Sequence, residues 1–263
     1  MSLNHRLEGR HALVTGAGSG IGAAIAVALA EAGARVTLAG RRAEPLKALA
    51  DRLEPSAANP VSGFDVTDPE AIAAGLAKAR AVFGPVDILV NNAGEAPTAS
   101  FEKTTLEQWN HVLSVDLTGV FSVTQAVLPD LKARGNGARI INVASTAGLT
   151  GYAYVSAYVA AKHGVIGLTR ALALELAKTG VTVNAVCPGF TDTPLVRRSI
   201  ETIMQKTGRS EDEALKELTK HNPQGRLVMP EEVADAVLWL ASPSAQSMTG
   251  QAIAIAGGEV FSG

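Results

Sequence analysis

Short apolar, β-branched runs alternate with helically spaced apolar positions along nearly the whole chain. Seven runs read as strands, centred on Leu13-Val14, Val36 to Leu38, Val61 to Phe64, Ile88 to Val90, Ile140 to Val143, Val181 to Val183 and Ile253 to Ile255. Most are continuous rather than alternating, as strands buried on both faces are. Between them the period changes to 3.6. Ile21, Ile25, Ala28 and Leu29 share a helical face, and the same spacing covers 43–53, 69–83, 106–133 and 154–178. Asp68-Pro69 reads as a cap and first turn, while Gly33 and Gly84 fall where helices should stop. This alternation predicts an α/β fold: a Rossmann-type, doubly wound, parallel seven-stranded sheet with helices on both faces.

Two stretches need separate treatment. Residues 11–30 carry no formal charge and are long enough to raise a membrane span, but Gly16, Gly18, Gly20 and Gly22 suit a strand, turn and helix better than one continuous helix. The interval 195–222 is polar, charged and helical in character, and reads as an insertion. It is either a lid over a ligand or a solvated helix pair.

At 263 residues the chain fits one domain, 1–263. A composition of 47% hydrophobic and 18% charged residues excludes intrinsic disorder. The net charge of −2 leaves no basic stripe for phosphate backbones, which argues against a nucleic-acid partner. Cys187 is alone and forms no internal disulfide, and residues 1–10 lack the apolar run of a secretory signal, so a cytoplasmic protein without a membrane partner is expected. The five histidines show no metal-ligand spacing, and no metal is expected.

The chemistry begins at Thr15-Gly16-Ala17-Gly18-Ser19-Gly20-Ile21-Gly22, between the first strand and the first helix. Glycines allow a tight turn and close backbone approach to a pyrophosphate, and the helix N-terminus adds unpaired N–H donors. The spacing is G-x-x-x-G-x-G, from Gly16, Gly20 and Gly22. With Asn91-Asn92-Ala93-Gly94 after the fourth strand and Pro188-Gly189 after the sixth, it resembles the short-chain dehydrogenase/reductase family over nearly the whole chain.

An NAD-preferring site places a carboxylate at the end of the second strand, on the ribose 2′-hydroxyl. Gly40 stands there, followed by Arg41 and Arg42, whose guanidinium groups suit a 2′-phosphate. NADP(H) is therefore expected, with NAD(H) as the alternative because both arginines also suit ordinary surface positions. The resemblance further implies that Ser19 and Ile21 belong to the phosphate loop and that Asp65 and Val66 lie at the adenine. It puts Asn91, Asn92, Ala93 and Gly94 at the adenosine side and Pro188, Gly189, Thr191 and Thr193 at the nicotinamide and phosphates.

Tyr158 and Lys162 stand at i and i+4, so on a helix they share a face, and Ser145 precedes them at the end of the fifth strand. A carbonyl accepting hydride develops alkoxide charge and needs a proton donor and a second hydrogen-bond donor. Tyr158 suits the first role, Ser145 the second, and the Lys162 ammonium favours the phenolate in the reverse direction. The resemblance adds a hold on the nicotinamide ribose by Lys162. Where relatives commonly carry an asparagine completing a tetrad, this chain has Asp116, retained as a fourth candidate. Tyr152 and Tyr154 lack a lysine four residues on, and Cys187 reads as structural.

The resemblance is strongest to 3-oxoacyl thioester and polyketide-type ketoreductases, implying a small-molecule carbonyl or alcohol substrate, including CoA or carrier-protein thioesters. Arg197, Arg198, Lys206 and Arg209 are candidates for a CoA phosphate, though a solvated helix face accounts for them too. Competing readings are a dehydrogenase of a small ketone, hydroxy acid, sugar or polyol, and a catalytically silent NADP(H)-binding regulator. Relatives commonly assemble through the two long central helices, which implies a homotetramer, with a dimer as the alternative.

Overall fold

The computed structural model describes residues 7–261. Its seven strands are β1 (His11–Thr15), β2 (Arg35–Gly40), β3 (Ala58–Ser62), β4 (Ile88–Asn91), β5 (Arg139–Val143), β6 (Thr182–Pro188) and β7 (Ala252–Ile255). They form one parallel sheet in the order β3-β2-β1-β4-β5-β6-β7. β1, β4, β5 and β6 are buried throughout, which explains their unbroken apolar character.

Helices cover both faces. On one, α1 (Gly20–Glu31), α2 (Ala43–Ala50) and α9 (Pro230–Ala241) enclose a core that includes Ile25, Leu29, Leu46, Val233 and Val237. On the other, α3 (Pro69–Phe83), α5 (Gly119–Arg134) and α6 (Ser156–Leu176) bury Leu76, Val123, Val127, Leu131 and Leu176. The Asp68 carboxylate caps α3 by accepting from the Glu70 and Ala71 backbone N–H groups at 2.9 and 3.3 Å. Gly84 ends that helix with φ at 76°. The sheet order reverses between β1 and β4, which opens a crevice at their carboxyl ends, where open α/β sheets bind ligands.

Two expectations need correction. The long run over 106–133 is not one helix: α4 (Leu106–Leu113) and α5 are separated by a π-helical turn, Ser114–Thr118. The apolar spacing continues through the turn, so periodicity did not reveal it. Leu106–Arg134 has the length and hydropathy a membrane span requires, yet α5 sets Val120, Val123, Val127 and Leu131 into the protein interior. The third strand also begins and ends earlier than Val61 to Phe64, because as an edge strand it tolerates Asn59 and Pro60 and buries only Val61. The polar interval forms two helices packed together, α7 (Pro194–Thr207) and α8 (Glu211–Thr219).

Candidate active site

At the crevice the chain turns sharply out of β1. Gly16 and Gly20 adopt φ values of 65° and 54°, a region that favours glycine. A Cβ on Gly16 would come within 2.9 Å of the Ala93 Cα, and one on Gly22 would collide with the Asn92 side chain and the Gly16 carbonyl. Asn92 fixes the loop by donating to the Thr15 and Gly16 carbonyls at 2.9 and 3.2 Å. Thr15 Oγ1 accepts from the Asn92 and Ala93 backbone N–H groups at 3.0 Å each, tying β1 to β4.

The loop forms one end of a cleft of about 600 Å³. Ser19, Gly20, Ile21 and Gly22 border it, with Arg41 and Arg42 beyond β2 and Asp65 and Val66 beyond β3. No carboxylate stands at Gly40, and both arginines are exposed at the rim. Asp65 Oδ1 accepts from the Thr67 backbone N–H at 2.9 Å and from its hydroxyl at 2.8 Å, which holds its carboxyl below the ordinary range. The glycine loop, the bare Gly94 and the basic rim fit a phosphorylated dinucleotide: a Cβ at Gly94 would stand 2.6 Å from Asp116 Oδ1 and narrow the cleft.

Tyr158 and Lys162 emerge from one face of α6, and both border the cleft with Asp116. The Lys162 ammonium lies 5.4 Å from the Tyr158 ring centroid and 3.3 Å from Asp116 Oδ1, and donates to the Val143 carbonyl at 3.1 Å. Asp116 is fully buried on the π-helical turn, and burial pushes its carboxyl up while Lys162 draws it down. Burial alone would lower Lys162, but Asp116 and Tyr158 outweigh it, and its pKa ends above the ordinary lysine value. Ser145 lies just past β5, next to Val143 and Ala144 of the cleft wall but not itself bordering the cleft, and its Oγ accepts from the Ala147 backbone N–H at 3.1 Å.

Several expected residues are placed differently. Asn91, the last residue of β4, does not border the cleft and donates to Thr124 Oγ1 and Asn142 Oδ1 at 2.9 Å each, buried beneath it. Thr191 is buried and donates to the Gly189 carbonyl at 3.0 Å, and neither it, Pro188 nor Gly189 borders the cleft. Thr193 does border it, capping α7 and packing against Gly20. Cys187 is fully buried and its thiol is pushed up to about 11 by burial, as a structural cysteine should be. Arg197 is engaged by Asp192 and Glu211 and Arg209 by Glu217, while Arg198 borders the cleft. Sequence reasoning missed Glu95, which lines the cleft and pairs with His111 at 2.7 Å. It lies in an irregular segment with no motif of its own. Among the described residues no cluster suits a metal ion.

The fold and site define an oxidoreductase of the nicotinamide-dependent class, with a tyrosine beside a buried lysine in its cleft. The pattern of the family described as short chain dehydrogenase matches residues 10–204. An acetoacetyl-CoA reductase from Rhizobium meliloti (strain 1021) is 43% identical over 254 residues, covering 96% of this chain and 99% of the relative. A D-beta-hydroxybutyrate dehydrogenase from the same organism is 40% identical over 251 residues, covering 94% and 97%. A crystal structure of an actinorhodin polyketide ketoreductase variant with NADPH superposes with a TM-score of 0.90 at 41% identity, covering 97% of this chain and 98% of that one. This chain belongs to the short-chain dehydrogenase family.

Proposed function

We propose that this chain is an NADP(H)-dependent ketoreductase of 3-oxoacyl thioesters. The observation that carries the reading is the Lys162 ammonium, held by Asp116 and set 5.4 Å from the Tyr158 ring in a cleft whose far rim carries Arg41 and Arg42. A bound nicotinamide supplies the hydride for the carbonyl carbon, or accepts it in the reverse direction. The chain's own residues manage the oxygen. Tyr158 donates its proton to that oxygen as charge develops, Ser145 donates a second hydrogen bond, and the Lys162 charge stabilises the phenolate left behind. Asp116 keeps Lys162 in place and charged.

Arg41 and Arg42 meet the 2′-phosphate, and the solved relative with NADPH supports that preference. The thioester reading is supported by the acetoacetyl-CoA reductase likeness. The whole chain, 1–263, works as one domain, with α7 and α8 over 195–222 as its lid, Thr193 already resting on the glycine loop. Phe121 on α5 and Leu174 on α6 are exposed apolar side chains, which supports assembly as a homotetramer through these helices. The buried, unpaired Cys187 suits a reducing cytoplasm.

The test is NADPH oxidation, followed by absorbance, with acetoacetyl-CoA. Turnover with NADPH well above that with NADH is expected. Oxidation of 3-hydroxybutyrate with NAD+, with no turnover of acetoacetyl-CoA by NADPH, would replace this reading with a hydroxy-acid dehydrogenase.

A further inference from the structure

The glycine loop brings no positive side chain to a phosphate. Thr15 to Gly22 contains neither lysine nor arginine, so a pyrophosphate lying there meets backbone N–H groups and the N-terminus of α1 but no cation of the loop. Arg41 and Arg42 border the cleft after β2, and the Lys162 ammonium is matched by Asp116 at 3.3 Å. Among the described residues, the remaining cation bordering the cleft is Arg198 of α7.

The start of α7 sits on the loop. Thr193 caps the helix by accepting from the Val196 backbone N–H at 3.4 Å, and a Cβ on Gly20 would stand 3.0 Å from Thr193 Cγ2 and 3.8 Å from Pro194 Cδ. Thr193, Pro194 and Leu195 all border the cleft. Pro194 and Arg198 stand at i and i+4, so they share the face of α7 that covers the glycines. The other basic residues of this region are turned elsewhere. Arg197 is held by Asp192 at 2.7 Å and Glu211 at 3.3 Å, Arg209 is held by Glu217 at 3.3 Å, and Lys206 does not border the cleft. Arg198 is exposed, and among the described residues its guanidinium has no acidic partner.

Resting on the nicotinamide-cofactor reading, we infer that Arg198 is a cofactor-binding residue that meets the pyrophosphate from the side opposite the glycine loop. A guanidinium offers two parallel N–H donors to two phosphate oxygens, and it supplies the charge that the loop lacks. NADPH and NADH carry the same pyrophosphate, so this contact favours neither, in contrast to Arg41. Because Arg198 belongs to α7, the bound cofactor holds the lid down over itself. The phosphates of a CoA substrate are a second source of the same chemistry, but the seat of Thr193 and Pro194 on Gly20 favours the cofactor's.

The experiment titrates the wild type, Arg198→Ala and Arg198→Lys with NADPH and with NADH by fluorescence, and follows backbone hydrogen exchange over 195–207 with and without NADPH. Arg198→Ala is expected to weaken both cofactors alike, by about tenfold, as loss of a charge-assisted hydrogen bond does. It is also expected to lose most of the exchange protection that NADPH gives α7 in the wild type. The free protein should unfold at the wild-type temperature, because the side chain is exposed. Arg198→Lys, which keeps the charge without the fork, should fall between. Values of kcat/KM for acetoacetyl-CoA and for ethyl acetoacetate, at saturating NADPH, separate the second source. Cofactor affinities within about twofold of wild type, with a loss confined to acetoacetyl-CoA, would assign Arg198 to the CoA phosphates and overturn the inference. Weakening of NADPH alone would assign it to the 2′-phosphate and overturn it too, as would no change in any measurement. A wild type that binds neither nucleotide overturns the cofactor reading along with the inference, whereas the other outcomes leave that reading standing.

Discussion

Asp116 Oδ1 lies 3.3 Å from Lys162 Nζ, with the two side chains 0% and 4% exposed, so the lysine beside Tyr158 has a buried carboxylate as its direct partner. Both Asp116 oxygens also accept from the Glu95 backbone N–H at 3.3 Å, and the π-helical turn carries the residue inward. The contact has a consequence for pH. Lys162 is held above its ordinary pKa because Asp116 and Tyr158 outweigh the effect of burial. In Asp116→Asn the burial remains and the counter-charge is gone, so the lysine pKa falls. Activity that depends on the ammonium is lost as pH rises through that pKa. The alkaline limb of the kcat/KM profile is therefore expected to move to lower pH by about one unit or more, with cofactor affinity less affected. A limb that stays in place would show that Asp116 only packs against the lysine.

Tyr158→Phe removes the phenolic proton while keeping the ring and its contact with the Lys162 ammonium. Loss of a general acid costs about 10²- to 10⁴-fold in kcat. NADPH binding, followed by fluorescence, is expected to stay within a few-fold of wild type. Tyr152→Phe serves as the contrast: its hydroxyl is spoken for by Glu259 and Thr146, and turnover of a neutral ester should largely persist. If the two variants lost equal activity, the acid would have to be sought elsewhere.

What the sequence revealed depended on regular elements. Ser145, Tyr158 and Lys162 were legible because a strand end and an i, i+4 helical pair fix their positions locally, and the glycine loop because its backbone demands are written in residue type. Asn91 and Asn92 show the limit. Either could have faced the cleft, and only the fold decides that Asn92, just past the end of β4, holds the loop while Asn91, its last residue, joins the buried chain to Thr124, Asn142 and Thr169. Glu95 lies on an irregular segment after β4, and only the folding of the sheet brings it to the cleft beside Asp116 and Lys162. The π-helical turn was hidden for a related reason: the apolar spacing from Leu106 to Arg134 runs through it, and a change in hydrogen-bond pattern leaves no mark on residue type.

Arg41 tests the cofactor preference. It stands on the cleft rim immediately after Gly40, where an NAD-preferring site would place a carboxylate. A hydrogen bond to a charged group is worth about 1.5–3 kcal/mol. Arg41→Ala should therefore weaken NADPH by about 10- to 100-fold while leaving NADH within about threefold, as read by parallel titrations. Equal weakening of both would mean the substitution damaged the rim in general. Arg41→Ala combined with Gly40→Asp is expected to invert the preference, since the new carboxylate accepts from a ribose hydroxyl and repels a phosphate.

Gly22 gives the prediction that depends least on electrostatics. An added Cβ there would run into the Asn92 amide nitrogen and the Gly16 carbonyl, the same atoms that Asn92 joins to hold the phosphate loop. The obstacle is partly backbone, so relief requires the loop to move or Asn92 to let go. Gly22→Ala is expected to lower stability by about 1–3 kcal/mol, as overpacking does, and to weaken NADPH at least as much as NADH. Thermal unfolding with and without cofactor separates these effects. A variant that unfolds at the wild-type temperature and is stabilised equally by saturating NADPH would show that the loop accommodates a methyl group. The narrow fit of the glycine cradle would then not be what positions the phosphates.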